Sequence, residues 1–127
     1  MTIGTAWPAG AATYYSANKN VGGGWINAEG ISNSSCTTWS AIRKASGSGT
    51  GHLAGQSYVY LANGALQDAS AEKYSNGLTG GFTVSSGGAD FCWIGYAYGV
   101  GRTGWYNPAT GYYEWSWTLN TPVLWFG

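Results

Sequence analysis

Charged residues are scarce in this chain, and the little charge that it carries cancels. Of its 127 residues, 8% are Asp, Glu, Lys or Arg, and five basic side chains balance five acidic ones. An ordinary soluble domain carries about 25% charged residues. A nucleic-acid-binding domain would need a basic patch, so the composition excludes nucleic acid as an expected partner.

Metal-ligating residues and long apolar runs are also rare. The only histidine is His52, and the two cysteines, Cys36 and Cys92, form no C-x-x-C or similar pattern, so we expect no metal site. No apolar run approaches the ~20 residues of a membrane-spanning helix. Residues 1–8 lack the basic and apolar regions of a secretory signal. We therefore expect no membrane span and no leader in this sequence.

Catalytic motifs are missing as well. Residues 99–104 match G-x-G-x-x-G, but a turn signal follows them where dinucleotide binding requires a helix. There is no G-x-S-x-G elbow to pair with the single histidine. No two carboxylates stand out by their spacing as the pair that glycoside hydrolysis needs. We expect neither an enzyme nor a bound cofactor.

The two cysteines permit a single intrachain disulfide. A Cys36–Cys92 bond would close a loop of more than 50 residues, worth about 4 kcal/mol in the chain-entropy model. The alternative is two separate thiols buried as small apolar groups. Near the first cysteine, Asn33-Ser34-Ser35 forms a glycosylation sequon.

Glycine and aromatic residues are what the chain has in abundance: 22 Gly, eight Trp, ten Tyr and three Phe. Segments rich in aromatic and β-branched residues alternate with Gly, Asn, Ser and Pro, which predicts strands separated by turns. These segments are 12–16, 24–28, 36–42, 57–61, 81–85, 91–98, 112–119 and 122–126. They predict one antiparallel β-sandwich, jelly-roll-like, over residues 1–127. At most one short helix is expected, around residues 64–74, with an irregular loop as the alternative.

Two segments carry more specific patterns. Asn107-Pro108, followed by Gly111, predicts a tight hairpin turn within residues 105–113. After the turn, Tyr113, Trp115 and Trp117 alternate with polar residues, which is typical of a half-buried strand with an apolar face on the core.

The sequence holds more rings than a core of this size can enclose. Tyr58 and Tyr60 alternate with aliphatic residues, which predicts that both tyrosines are partly exposed. The hairpin and the C-terminal segment are the other expected sites of exposed rings. The residues expected to anchor contacts between copies are Trp105, Tyr106, Tyr112, Trp125 and Phe126.

Two functions fit this composition. It resembles that of bacteriophage virion accessory proteins and of self-assembling surface filaments. On that resemblance we expect a non-enzymatic structural subunit, extracellular or on a virion surface, that forms homo-oligomers. It also resembles small carbohydrate-binding modules, which implies as an alternative that exposed Trp and Tyr stack on sugar rings. In that case Asn33, Tyr58 and Tyr60 are the candidate glycan or ligand contacts.

Overall fold

The computed structural model describes residues 11–127, in which two antiparallel sheets pack face to face as a β-sandwich. Strand makes up 59% of this structure, so the all-β sandwich prediction is confirmed. Residues 1–10, which the predicted domain includes, lie outside the described residues. Most of the long strands overlap the aromatic and β-branched segments, but the longest, Gly95–Asn107, continues through the glycines at 99–104.

The described chain contains eleven strands and one 3-10 helix, Ala89–Trp93. In chain order the strands are β1 (Thr13–Tyr15), β2 (Lys19–Gly22), β3 (Trp25–Ser32), β4 (Thr37–Lys44), β5 (Leu53–Leu61), β6 (Leu66–Ala69), β7 (Lys73–Tyr74), β8 (Gly81–Gly87), β9 (Gly95–Asn107), β10 (Tyr112–Trp117) and β11 (Leu124–Phe126).

Each sheet is built around long central strands. The six-stranded sheet runs β10-β9-β5-β6, with β11 also paired to β9 and β7 also paired to β5. The five-stranded sheet runs β1-β3-β4-β8, with β2 also paired to β3. The predicted hairpin is present, since β9 and β10 pair up to Asn107 opposite Tyr112.

Two predictions of local structure are wrong. Residues 64–74 form no helix; they supply β6 and β7, which take up the hydrogen bonds of the β5 edge. Their apolar face is too weak to hold a helix against the core, and Leu66 is exposed. The 91–98 segment is also not one strand, because the 3-10 helix occupies its first part and β9 begins only at Gly95, whose φ is 86°.

The core between the sheets has three zones. One apolar cluster contains Ile31, Val59, Phe91 and Phe126, and the other contains Trp25, Ile42 and Leu53. Between them the inward positions of β3, β4, β5 and β9 are polar or glycine. The resulting polar layer contains Asn27, Glu29, Thr38, Ser40, Ser57, Gly99, Gly101 and Thr103.

Glu29 is the centre of the polar layer. Its two carboxyl oxygens accept hydrogen bonds from the Ser40 and Ser57 hydroxyls, the second at 2.7 Å. Burial raises the pKa of Glu29 to about 8, although hydrogen bonds from Ser40, Ser57 and Thr118 act to lower it. Gly101 leaves the necessary space, since a Cβ there would lie 1.8 Å from the Ser40 hydroxyl oxygen.

Cys36 and Cys92 form a disulfide, with their Cα atoms 5.0 Å apart. The sequence left open whether the two cysteines form a bond or remain separate thiols, and the structure contains the bond. The bond joins the turn between β3 and β4 to the 3-10 helix that leads into β9. It therefore fixes a connection between the two sheets.

Candidate binding face

The outer surface of the six-stranded sheet is covered by aromatic rings. Along β9 the inward positions Ala97, Gly99 and Gly101 are small, whereas the outward positions carry large side chains. The same alternation on β5 and β10 extends the surface across the sheet. We call this surface the aromatic face; its rings are Tyr58, Tyr60, Tyr74, Tyr96, Tyr98, Tyr106, Tyr113, Trp115, Trp117 and Trp125.

A row of contacting rings crosses the middle of the aromatic face. Tyr98 and Tyr60 are opposite each other on β9 and β5, with centroids 5.6 Å apart and planes 16° from parallel. Tyr60 contacts Tyr58 at 6.4 Å, and Tyr58 contacts Trp117 at 5.5 Å. Such pairs stabilise neighbouring strands by about 0.5–1.5 kcal/mol each beyond area burial. The tyrosines are therefore held in place before any ligand arrives.

A second group of rings surrounds Trp115. Its indole lies over Gly104 on the neighbouring strand, where a Cβ would come within 3.1 Å of the ring. Tyr74 and Tyr113 contact the same indole at 6.2 Å each. The missing side chain at Gly104 thus lets Trp115 lie close to the backbone of the sheet.

Polar side chains run between the two ring groups. Arg102 places its guanidinium 4.4 Å from the Trp115 ring centroid, forms an ion pair with Glu72 and donates from Nε to Gln56 Oε1. Tyr58 donates its hydroxyl hydrogen to the same Gln56 oxygen at 2.7 Å, and Tyr74 donates to Glu72 Oε1 at 2.6 Å. We call these five residues the polar row; it is held together by internal hydrogen bonds and carries no net charge.

The polar row borders a shallow depression of about 230 Å³. Tyr58, Arg102, Trp115, Ser116 and Trp117 line it. Trp117 is 50% exposed, which is unusual for so large an apolar side chain. The depression therefore presents indole surface beside a guanidinium group.

Four residues that the sequence analysis singled out lie on this face. Tyr58 and Tyr60 are half-buried there, so the predicted partial exposure is confirmed. Tyr106 is 37% exposed at the hairpin end, and Trp125 is 38% exposed beside Tyr96. The structure brings these four together with the six other rings of the aromatic face.

Two other expectations of exposure are wrong. Phe126 is 1% exposed and packs edge-on against Phe91 at 4.6 Å, because alternation along β11 turns it inward while Trp125 faces out. Trp105 also points inward, packs against the second apolar cluster and donates its indole N–H to the Val21 carbonyl. Neither ring is available as an exposed anchor.

Tyr112 and Asn33 lie apart from the aromatic face. Tyr112 is 75% exposed, but it alternates with Tyr113 and so belongs to the other side of β10. Asn33 lies in the turn after β3, accepts from the Ala12 N–H and donates its side-chain N–H to the Trp125 carbonyl. Its side chain thus connects that turn to β11.

Sequence reasoning missed much of the face. The apolar side of 112–119 was expected on the core, yet Trp115 and Trp117 face outward. Tyr96, Tyr98 and Arg102 were overlooked because the glycines among them suggest bends between strands. The sequence does contain a signal that places these residues: small and large side chains alternate strictly over 96–103. This alternation indicates that the side of the strand with the small residues is packed against the core.

The described residues lack two other features, a metal-ligand cluster and a membrane-spanning helix. No group of three or more His, Cys, Asp or Glu residues there could hold a metal ion. No helix among residues 11–127 has the length and apolar character to cross a membrane. Glu29, the carboxylate with the strongly raised pKa, is enclosed between the sheets and has no exposed surface.

Comparison of the chain with protein-family models, with curated proteins and with solved structures finds no match.

Proposed function

We propose that this protein is a non-catalytic carbohydrate-binding module whose ligand lies on the aromatic face. The observation that carries the proposal is the combination of exposed indole and tyrosine rings with the polar row. A pyranose ring has apolar C–H surfaces and a rim of hydroxyl groups. Aromatic rings cover the C–H surfaces, and hydrogen-bonding side chains pair with the hydroxyl groups. Ligand sites usually combine apolar walls with a few placed polar groups in this way.

The dimensions of the face support an extended ligand. From Tyr96 to Tyr106 there are ten residue steps of about 3.3 Å, so the face is about 33 Å long. Three interstrand spacings of about 4.8 Å make it about 14 Å wide. The face is therefore more than twice as long as it is wide. A chain of sugars needs length more than width.

The tyrosine hydroxyl groups add to the hydrogen-bonding capacity. Those of Tyr60, Tyr96 and Tyr98 have no partner among the described residues, so each can donate to or accept from a sugar hydroxyl. The rings that carry them are already ordered by contact with other rings. Binding therefore costs little side-chain entropy.

A second copy of the chain is the alternative occupant, in keeping with the structural, virion or filament role that the composition suggests. Zero net charge gives copies little electrostatic reason to stay apart. The elongated shape of the face and the polar row favour carbohydrate over a copy. Self-association through this face is therefore an outcome that the experiments below must be able to detect.

The test compares two tryptophans in the same local setting. Trp115 lies over Gly104 on the six-stranded sheet, and Trp39 lies over Gly30 on the outer side of the five-stranded sheet. Trp115→Ala and Trp39→Ala therefore remove similar packing from opposite surfaces. Binding is measured by retardation in gels containing cellulose derivatives, mixed-linkage β-glucan, xylan, galactomannan or polygalacturonate.

We expect wild type and Trp39→Ala to be retarded by at least one of these polymers. Trp115→Ala should bind that polymer several-fold to about tenfold more weakly, since one aromatic contact is worth about 0.5–1.5 kcal/mol. Equal loss in both variants, or no retardation of the wild type by any polymer, would overturn the proposal.

A further inference from the structure

The charges on the aromatic face are paired with each other. Among its rings and its polar row, Arg102 and Glu72 are the two charged residues, and they form an ion pair. Glu72 is further held by the Tyr74 hydroxyl at 2.6 Å, and Arg102 by Gln56 Oε1 at 3.3 Å. The guanidinium is therefore oriented and neutralised before a ligand binds.

This arrangement restricts what Arg102 can recognise. A free arginine prefers a carboxylate, which it binds through two parallel hydrogen bonds. Here Glu72 already supplies that carboxylate. Three of the five guanidinium N–H groups remain without a partner among the described residues, and they can donate to uncharged hydroxyl oxygens.

The Arg102–Glu72 ion pair lies at the depression. Arg102 lines the depression together with Trp115 and Trp117, and it stacks on Trp115. A sugar ring seated against either indole therefore lies next to the guanidinium. An acidic sugar at this position would bring its carboxylate close to Glu72 and would compete with it for Arg102.

On the basis of the proposed function, we infer that the depression at Trp115 and Trp117 is a subsite for a neutral pyranose, and that Glu72 excludes uronic acids from it. Arg102 donates hydrogen bonds to the sugar hydroxyls. Glu72 acts as a specificity-determining residue, because its carboxylate neutralises the guanidinium and repels the carboxylate of a uronate next to it.

The test is Glu72→Gln, which removes the negative charge and keeps the side-chain size. Glu114→Gln is the matched control, since Glu114 is on the same sheet but contacts Asn107 at the hairpin. Dissociation constants are measured for the neutral polymer that retards the wild type most in the first test and for polygalacturonate, at low and high salt.

We expect wild type and Glu114→Gln to bind the neutral polymer and to bind polygalacturonate at least about tenfold more weakly. Glu72→Gln should bind polygalacturonate about tenfold or more better than wild type, as one charge-assisted hydrogen bond allows, and high salt should reduce this gain. Its affinity for the neutral polymer should change less.

Failure of this inference differs from failure of the proposed function. A wild type that prefers polygalacturonate, or a Glu72→Gln variant with unchanged selectivity, overturns the specificity role and leaves carbohydrate binding intact. A wild type that binds neither polymer class overturns both.

Discussion

Glu29 keeps its proton at neutral pH because the two sheets remove it from water. With a folded-state pKa of about 8 against an ordinary 4.5, the folded protein holds a proton that the unfolded chain releases. The stability that this proton contributes is complete below about pH 4.5. It is lost progressively as the pH rises toward about 8.

We therefore expect the free energy of unfolding to fall by a few kcal/mol between about pH 4.5 and 8. Glu29→Gln should flatten this dependence and be the more stable protein at pH 8, because a neutral amide keeps hydrogen-bonding groups for Ser40 and Ser57 without a charge to bury. Urea denaturation across the pH range measures both quantities.

Glu114→Gln serves as the control, since it removes a carboxylate that is only half-buried at the hairpin. It should retain the wild-type pH dependence. An unchanged pH slope in Glu29→Gln would mean that burial of this carboxyl does not govern the acid–base behaviour of the fold.

At the scale of secondary-structure elements, β11 unites two roles that the sequence suggested separately. Leu124 and Phe126 are buried in the first apolar cluster, and the strand pairs with β9 from Gly95 to Ala97. Trp125 faces out and contacts Tyr96 at 4.7 Å. The C-terminal segment is thus a core strand that also contributes one ring to the aromatic face.

Removing the C-terminal residues therefore removes two buried side chains of the core. Deleting residues 123–127 should unfold the domain. Phe126→Ala alone should cost about 3–5 kcal/mol of stability, whereas Trp125→Ala should cost clearly less, because that ring is partly exposed. Thermal unfolding of the two point variants is the measurement, and equal destabilisation would contradict the assignment of the two faces.

The hairpin and the 64–74 segment show which elements local sequence can specify. Asn107-Pro108 and Gly111 carry their own turn chemistry, so the hairpin was predictable from residues alone. Residues 64–74 have moderate helix propensity but no apolar face to pack. Their conformation was decided by the β5 edge, which lies close in space and needed hydrogen-bond partners.

For the whole molecule, the carbohydrate proposal predicts a monomer. Sedimentation velocity at micromolar to tens of micromolar concentration should give a single species with the mass of one chain, because the proposal assigns the aromatic face to a sugar chain rather than to a second copy. A concentration-dependent dimer or larger particle that Trp117→Ala disperses would instead favour self-association through the aromatic face.

The sequence by itself determined the all-β class, the hairpin, the outward direction of Tyr58 and Tyr60 and the excess of rings over core volume, because these follow from residue periodicity, turn residues and counting. It left the cysteine pairing open, and it misplaced Phe126, Trp105 and the aromatic side of β10. Only the packing of the two sheets decided which face of each strand is inside. The interior accepted small residues and a hydrogen-bonded polar layer around Glu29, where close sheet contact leaves no space for large rings. Tyr96, Tyr98 and Tyr106 of β9, with Tyr113, Trp115 and Trp117 of β10, were consequently placed on the outer surface. The alternation over 96–103 indicates this for β9, whereas no local pattern does so for β10.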